Sequence, residues 1–178
     1  MSIYTHSLKT ATKSVESLKA IVSKLPAYLD SKKAMRGDNL ISESYTLESR
    51  IAPDMLPLVR QVQIVSDNLK GMASRMAGVE APKMEDNESS IAELIVRLEK
   101  TIEFAKSIPE SAFEGAANRQ ATTPWIPGKY QTMEDYLVES AIPNLYFHIT
   151  TAYCILRSLG MPIGKQDFIG GLTLHDIE

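Results

Sequence analysis

The segment from Asn144 to Phe168 carries the clearest structural pattern in the chain. Apolar side chains recur there at steps of three and four residues, so they form one stripe along an α-helix. The stripe consists of Leu145, Ile149, Ala152, Leu156 and Leu159. His148 falls within it. Because Gly160 favours a helix end and Pro162 cannot continue a helix, we predict that this helix ends near Leu159.

The N-terminal segment predicts a first amphipathic helix. Its apolar residues alternate steps of four and three from Tyr4 to Leu25, and lysines and glutamates occupy other positions on the helical wheel. This helix should bend or stop at Pro26. A polar stretch then leads to a turn at 37–39, and a short helical piece is expected within 40–49.

A second long helix is predicted to follow Pro53 and Pro57 and to end before Gly78. Proline is tolerated near a helix start, where its missing N–H would have no partner in any case. Gly71 lies inside this helix, where glycine costs about 1 kcal/mol relative to alanine. Gly71 therefore indicates either a close contact with a neighbouring helix or a glycine that the helix simply tolerates, and of the two we favour the close contact.

A third long helix is predicted to begin at Ser90. The spacing of Ser90 and Glu93 is that of a capping box, in which the two residues satisfy each other's free amides. Apolar residues then recur at helical spacing until Pro109 ends the pattern.

Periodicity is lost between Glu110 and Gln131. Residues that favour β-structure surround the turn dipeptide Pro127-Gly128, so we predict a short irregular excursion or a β-ribbon. Thr132 then resembles an N-terminal cap and starts a further helical segment. Pro143 either separates this segment from the last helix or kinks it into that helix.

Four long segments with one apolar stripe each must bury those stripes against one another. The simplest closed arrangement is a four-helix bundle, so we predict an all-α fold with the irregular excursion placed before the last helix. The chain has 178 residues, of which 44% are apolar and 23% charged, and this composition fits a single domain over residues 1–178.

Charge and cysteine content restrict the function. The net charge of −3 is spread along the chain without a basic stripe, so nucleic acid and anionic membrane surfaces are not expected partners. A single cysteine, Cys154, excludes an intrachain disulfide and indicates a reducing compartment. The sequence has neither an apolar leader segment nor a run long enough to span a membrane, so we expect a cytoplasmic protein.

Three stretches of the sequence resemble the domain-of-unknown-function family 1993, which is similar to the DinB/YfiT-like bundles. They are RIAPDMLPLVRQVQI at 50–64, KGMASRMAGVE at 70–80, and PNLYFHITTAY with LGMPIGKQDFIG within 143–170. The resemblance implies a DinB-like four-helix bundle, often dimeric. It also implies a superfamily in which many members bind a divalent metal through three histidines, one on the second helix and two in an HxxxH pair on the fourth.

The chain departs from that metal pattern. If His148 corresponds to the first histidine of the pair, the position four residues later is Ala152, and the second long helix contains no histidine. Gln61 and Gln63 occupy the comparable stretch, and an amide oxygen is a poorer ligand for Zn²⁺ or Ni²⁺ than an imidazole. We therefore expect no metal centre of this type and no cofactor.

His148 is the leading candidate for a functional side chain. Its imidazole should point into the bundle, where burial disfavours the charged form and leaves it neutral at pH 7. One interpretation is a core histidine paired with a carbonyl or with the hydroxyl of Ser66, Tyr136 or Tyr146. The other is a general acid/base acting with Tyr146 or Asp54, or an anchor in a ligand pocket.

Three further residues are candidates with simpler alternatives. Asp54 precedes the second long helix, where a carboxylate can cap free amides. Gln63 flanks the apolar stripe, as Gln61 does on the other side, and either contacts a ligand or forms a solvated helix border. Trp125 either covers a ligand pocket at the end of the bundle or anchors the irregular excursion onto the core.

The last helix is apolar over more than one face. Cys154 lies opposite the main stripe, and Tyr146, Tyr153 and Ile155 extend the apolar surface around the helix. A helix that is apolar nearly all round is buried on two sides. We therefore predict a homodimer formed through this helix.

Three functions remain open from the sequence. The first is a dimeric small-molecule-binding or accessory protein that has lost the superfamily metal site. The second is an enzyme that uses His148 as general acid/base on a small hydrophobic substrate. The third is a metal-dependent thiol transferase of the DinB type, which the missing histidines disfavour.

Overall fold

Four long helices form the body of the protein. The computed structural model describes residues 2–36, 41–123 and 126–177. The long helices are α1 (Ile3–Ser23), α4 (Leu58–Ala77), α5 (Ile91–Ser107) and α7 (Ile142–Ser158). The short helices are α2 (Leu25–Arg36), α3 (Glu43–Glu48), α6 (Met133–Asp135) and α8 (Lys165–Ile169).

The long helices pack as the predicted four-helix bundle. α1 lies against α4, α5 and α7, and α4 also packs against α5 and α7. Each helix contributes fully buried leucines to one shared core, among them Leu18, Leu69, Leu98 and Leu145. Burial of a leucine side chain stabilises a fold by about 1.5–3 kcal/mol, so the four apolar stripes supply most of the driving force. The predicted all-α architecture is confirmed.

The first helix ends where the sequence places a proline. α1 stops at Ser23, and a new helix, α2, starts at Leu25 with Pro26 in its first turn. A first-turn proline loses no hydrogen bond, because the amide there has no partner within the helix. The polar stretch expected after Pro26 is therefore helical, and the predicted turn at 37–39 lies outside the described residues.

The predicted helix boundaries in the middle of the chain are confirmed. α4 ends at Ala77, and Gly78 follows in the left-handed conformation with φ 70°. Ser90 caps α5 by accepting from the amide of Glu93, whose carboxylate accepts from the Ser90 amide in return. This capping box satisfies two backbone donors that would otherwise lack partners.

The predicted excursion before the last helix is also confirmed. Two 3₁₀ turns, Glu110–Phe113 and Ala116–Asn118, lead into an antiparallel pair of two-residue strands. The strands are β1 (Gln120–Ala121) and β2 (Gln131–Thr132). The Thr132 hydroxyl then accepts from the amide of Asp135 and caps α6, as its sequence context indicates.

The helix continues from α6 into α7 through a π-helical stretch, Tyr136–Ala141. Its register is visible at the amide of Ile142, which donates to the carbonyl of Leu137, five residues earlier. Pro143 follows at the start of α7 and has no N–H to donate to the α-helical ladder. Pro143 thus does not interrupt the helix. The turn before it adopts the wider π-helical hydrogen-bonding pattern, which accommodates the missing N–H.

No helix in residues 2–36, 41–123 and 126–177 combines the length and apolar character that a membrane crossing needs.

Gly71 makes room for a side chain of its own helix. A Cβ atom on Gly71 would lie 2.5 Å from Nη1 of Arg75, one turn further along α4. The expected close contact with a neighbouring helix is not found, because the approaching group is this guanidinium and, among the described residues, no atom of another helix lies within 4 Å of the Cβ position. The guanidinium folds back over Gly71 because helix side chains lean toward the N-terminus.

We predict that Gly71→Ala stabilises the fold by about 0.5–1 kcal/mol, because alanine has the higher helix propensity and a flexible arginine tip can move aside. Gly78→Ala is the matched control and should destabilise the fold, since its φ of 70° disfavours any side chain. Urea unfolding of both variants tests the pair. A destabilised Gly71→Ala variant would show that the Arg75 position is required for the fold.

Candidate functional site

A hydrogen bond joins the second and fourth long helices at His148. Its Nδ1 lies 2.6 Å from Oε1 of Gln61, and both side chains are buried, with exposed fractions of 9% and 1%. The amide nitrogen of Gln61 donates to the carbonyl of Leu56 at 2.9 Å. Because that nitrogen is occupied, Gln61 presents its oxygen to the ring, and Nδ1 of His148 must be the donor.

The opposite ring nitrogen of His148 is a free acceptor. With the proton on Nδ1, Nε2 carries a lone pair, and it has no hydrogen-bond partner within the described residues. It is not among the buried unpaired atoms there, so it keeps access to solvent. Burial lowers the pKa of His148 below its usual 6.5, which favours the neutral ring at pH 7.

The partner of His148 differs from the three hydroxyls that sequence reasoning proposed. Each of those hydroxyls bonds elsewhere: Ser66 with Thr101, Tyr136 with Arg75, and Tyr146 with Ser14. Tyr146 precedes His148 by two residues, about 200° around the helix, so it faces α1 while His148 faces α4. Tyr146 and His148 therefore do not form one site.

Asp54 neither caps α4 nor reaches His148. The helix begins at Leu58 with Pro57 as its N-cap, and no side chain caps it. The amide of Leu58 donates instead to the carbonyl of Ser49 at 2.9 Å. Asp54 is exposed in the preceding turn and has no hydrogen bond or ion pair within the described residues. The predicted capping role is wrong, because the helix starts one turn later than the carboxylate can serve.

Gln63 is buried on the other side of α4. Its amide oxygen accepts from Arg60 at 2.6 Å, and its amide nitrogen donates to Glu88 at 2.7 Å. Both Gln61 and Gln63 are 1% exposed, so the alternative of a solvated helix border is wrong for both. Both ends of the Gln63 amide are already hydrogen bonded within the protein, so the proposed ligand contact would compete with these bonds. Trp125, the other proposed ligand contact, lies outside the described residues.

Gln63 belongs to a buried polar cluster around Arg97, which sequence reasoning missed. The Arg97 side chain is 2% exposed and bonds with Asp67 at 2.8 Å, Asp86 at 2.9 Å and Glu88 at 3.0 Å. It also donates to the carbonyl of Glu85 at 2.9 Å. The cluster fastens the connector between α4 and α5 to both helices.

Arg97 stays charged in this cluster. Burial alone would lower its pKa, but the hydrogen bond to Glu88 and the charges of Asp67, Glu88 and Asp86 outweigh that effect and raise the pKa. The sequence signal was an arginine beside Leu94 and Leu98 in the apolar pattern of α5, together with the acidic connector that precedes this helix. Helical spacing places position 97 beside the apolar stripe, but a charged side chain is normally assigned to solvent unless its buried partners are known.

The donor set around His148 does not fit a three-imidazole metal centre. Its neighbours are the amide of Gln61 and, one turn further along α7, the fully buried methyl group of Ala152. An amide oxygen is a weak ligand for Zn²⁺ or Ni²⁺, and a methyl group is none. In the part of the chain that the structure describes, no three His, Cys, Asp or Glu side chains are placed to hold a metal ion.

These features define an all-α bundle of the DinB-like type. The family profile described as "Domain of unknown function (DUF1993)" matches residues 3–169, and the chain belongs to that family. Among solved structures, it is similar to a DinB family member protein from Shewanella denitrificans, with a TM-score of 0.88 and 37% sequence identity. That match covers 98% of this chain and 96% of the other. Comparison with curated proteins found no match.

We predict that His148 makes stability depend on pH in a defined window. Because the folded-state pKa is lowered, the unfolded chain binds a proton near pH 6.5 before the folded protein does. The contribution of His148 to the free energy of unfolding should be constant above that pH and decrease as the pH falls toward the folded-state pKa. Urea unfolding between about pH 7.5 and about pH 5 measures it.

The control for this pH dependence is His148→Gln, which removes the titrating group and keeps a side chain that can hydrogen bond. The free energy of unfolding of wild type minus that of His148→Gln should decrease on acidification. A difference that grows on acidification would mean that folding raises the pKa of His148.

Proposed function

We propose that this protein is a DinB-like bundle that has lost the superfamily metal site and serves as a dimeric small-molecule-binding or accessory protein. The single observation that carries the proposal is the hydrogen bond between His148 and Gln61. It uses Nδ1 of the ring and commits both ends of the Gln61 amide. By resemblance, His148, Gln61 and Ala152 stand where the superfamily has three imidazoles. His148 and Gln61 are hydrogen bonded to each other, and Ala152 contributes only a methyl group.

The loss of ligands would remove the chemistry that depends on the metal. A divalent cation in such a site would polarise a bound water or thiol. One imidazole with one solvent-facing nitrogen cannot replace three ligands, because a stable Zn²⁺ centre needs three or four protein donors. The missing ligands therefore disfavour the thiol-transferase alternative, and a metal titration tests it. The cytoplasm remains the proposed location, on the basis of the single cysteine.

We predict that wild-type protein binds no stoichiometric Zn²⁺ or Ni²⁺ in calorimetric titrations. The positive control is the double variant Gln61→His with Ala152→His, which supplies the two missing imidazoles and should bind one ion per chain. Ala152 is fully buried, so the thermal stability of the variant must be checked first. One ion bound tightly by wild type and lost in His148→Gln would overturn the proposal.

A second candidate function is supported by the free Nε2 of His148. An imidazole whose Nδ1 donates to a fixed acceptor has a defined tautomer, and its Nε2 can take a proton from a substrate. The accessible lone pair is the observation in its favour. Against it, His148 lines none of the surface cavities described for the 2–36, 41–123 and 126–177 segments. Any activity of this kind should disappear in His148→Gln.

Fewer apolar side chains of α7 are available for a dimer contact than the sequence indicated. Ile155 is fully buried in its own bundle, Tyr146 bonds with Ser14 of α1, and Tyr153 packs edge-on against Phe168 at 5.7 Å. Phe147 remains 54% exposed on this helix. The apolar surface offered to a second chain is therefore a narrow stripe that includes Phe147.

We predict that wild type sediments as a dimer at micromolar concentration and that Phe147→Asp sediments as a monomer, since a charge placed in an apolar contact opposes association. Thr150→Asp, one turn away on the exposed side of α7, should also weaken the dimer, whereas Glu103→Gln on α5 should not. A wild-type monomer under these conditions would contradict the dimer.

A further inference from the structure

A second polar site lies along the contact between α4 and the helix that leads into α7. It is a surface groove with a volume of about 800 Å³, which we call the Asn68–Arg75 groove. Its apolar wall includes Ile64, Pro143 and Phe147. The π-helical stretch forms one side, and π-helical turns occur frequently at functional sites because they reposition side chains.

Asn68 brings an unpaired polar group to this groove. Its Oδ1 is buried without a hydrogen-bond partner, and its amide has no hydrogen bond within the described residues. The amide nitrogen is not a buried unpaired atom, so one end of the group faces the open groove. The end of the amide that faces the groove is therefore an unpaired donor, and a hydrogen-bond acceptor on a bound molecule would supply the partner that the chain does not.

Arg75 brings a cation that no carboxylate neutralises within the described residues. It donates to the hydroxyl oxygen of Tyr136 at 3.3 Å, and its guanidinium lies 5.3 Å from the centre of that ring. Burial raises the pKa of the Tyr136 phenol even though the neighbouring Arg75 cation opposes that change. The phenol therefore keeps its proton and can donate it alongside the guanidinium.

Gly71 determines the direction of the Arg75 side chain. Asn68, Gly71 and Arg75 follow one another on one side of α4, and Asn68 and Arg75 are two turns apart, about 10 Å along the axis. Since Gly71 has no side chain, the Arg75 guanidinium lies over it and points back toward Asn68. The groove therefore has a cationic group at one end and an unpaired amide at the other.

The carboxylates near the groove do not cancel this cation. Asp67 is paired with Lys70 at 3.1 Å and with Arg97 at 2.8 Å. Glu139 is an exposed residue that accepts from Gln131 at 3.5 Å. Arg75 remains the group that can attract an anion, because arginine binds carboxylates through several parallel donors.

We propose that the Asn68–Arg75 groove binds a small carboxylic acid with an apolar body and a hydrogen-bond acceptor at the opposite end. The carboxylate accepts from Arg75 and the Tyr136 hydroxyl, the apolar body lies against Ile64 and Pro143, and the distal acceptor accepts from the amide nitrogen of Asn68. This proposal deepens the small-molecule-binding role proposed above and rests on it.

4-Acetylphenylacetate is a suitable probe, since it has a carboxylate, an aromatic body and a carbonyl acceptor at the far end. Binding is measured by calorimetry and by shifts of backbone amide signals in NMR spectra. Two matched probes separate the contacts: 4-acetylphenylacetamide lacks the charge, and 4-isopropylphenylacetate has the same shape but lacks the carbonyl acceptor. We expect the acetate to bind about tenfold or more tightly than the acetamide, and the isopropyl probe to bind more weakly than the acetyl probe.

Variants then assign the binding to this groove. Arg75→Met should weaken binding of the acetate about tenfold or more and leave binding of the acetamide unchanged. Asn68→Ala should remove the difference between 4-acetylphenylacetate and its isopropyl analogue. Lys100→Met is the matched control, because it removes an exposed cation that lines a different groove, and it should have no effect.

Gly71→Ala separates a binding role from a structural one. Its added methyl group should displace the Arg75 guanidinium and weaken acetate binding while the melting temperature stays the same or rises. A loss of binding that merely followed loss of stability would not show this combination.

Equal binding of acetate and acetamide, or unchanged acetate binding in both Arg75→Met and Gly71→Ala, would overturn the proposal. So would the absence of acetate binding at millimolar probe concentration. These outcomes are independent of the proposed metal loss, which fails only if wild type binds Zn²⁺ or Ni²⁺. Carboxylate binding that Arg75→Met does not weaken would leave the small-molecule role in place and move its site elsewhere.

Discussion

The hydrogen bond between Gln61 and His148 is the interaction on which the account of this site depends. It crosses from the second long helix to the fourth at a position that is almost closed to water. The carbonyl of Leu56 orients the glutamine, the glutamine fixes the ring tautomer, and the tautomer leaves Nε2 as the one free acceptor. A metal ion bound to His148 through Nδ1 would have to break this bond, and one bound through Nε2 would find no second imidazole beside it.

α4 organises the polar groups of the bundle by presenting different side chains to different neighbours. Gln61 and Gln63 are two residues apart, so they point to nearly opposite sides of the helix, one toward α7 and one toward the connector held by Arg97. Further along, Gly71 leaves space in which Arg75 folds back over the helix. One helix thus supplies the closed pair at His148, the anchor for the acidic connector and the cationic end of a groove.

The sequence predicts the bundle well because each helix is specified by local rules. Apolar spacing, the Ser90 capping box and the left-handed Gly78 all act within a few residues, and the structure confirms them. Contacts between helices are different, since periodicity fixes which side of a helix is buried but not its rotation and height against a neighbour. His148 was therefore identified as a buried histidine but assigned the wrong hydrogen-bonding partners. Arg97 was missed for a related reason, because its burial depends on acidic residues of the connector rather than on its own helix.

We propose that His148 is a neutral ring held by Gln61 and free of metal. Long-range ¹H–¹⁵N correlation spectra of ¹⁵N-labelled protein near neutral pH test it most directly, because the two ring nitrogens of a neutral histidine differ clearly in chemical shift. We expect a protonated Nδ1 and an unprotonated Nε2, unchanged by an equivalent of Zn²⁺, and a loss of this single tautomer in Gln61→Leu. A ring protonated on Nε2, or an Nε2 signal that moves stoichiometrically with Zn²⁺, would contradict it.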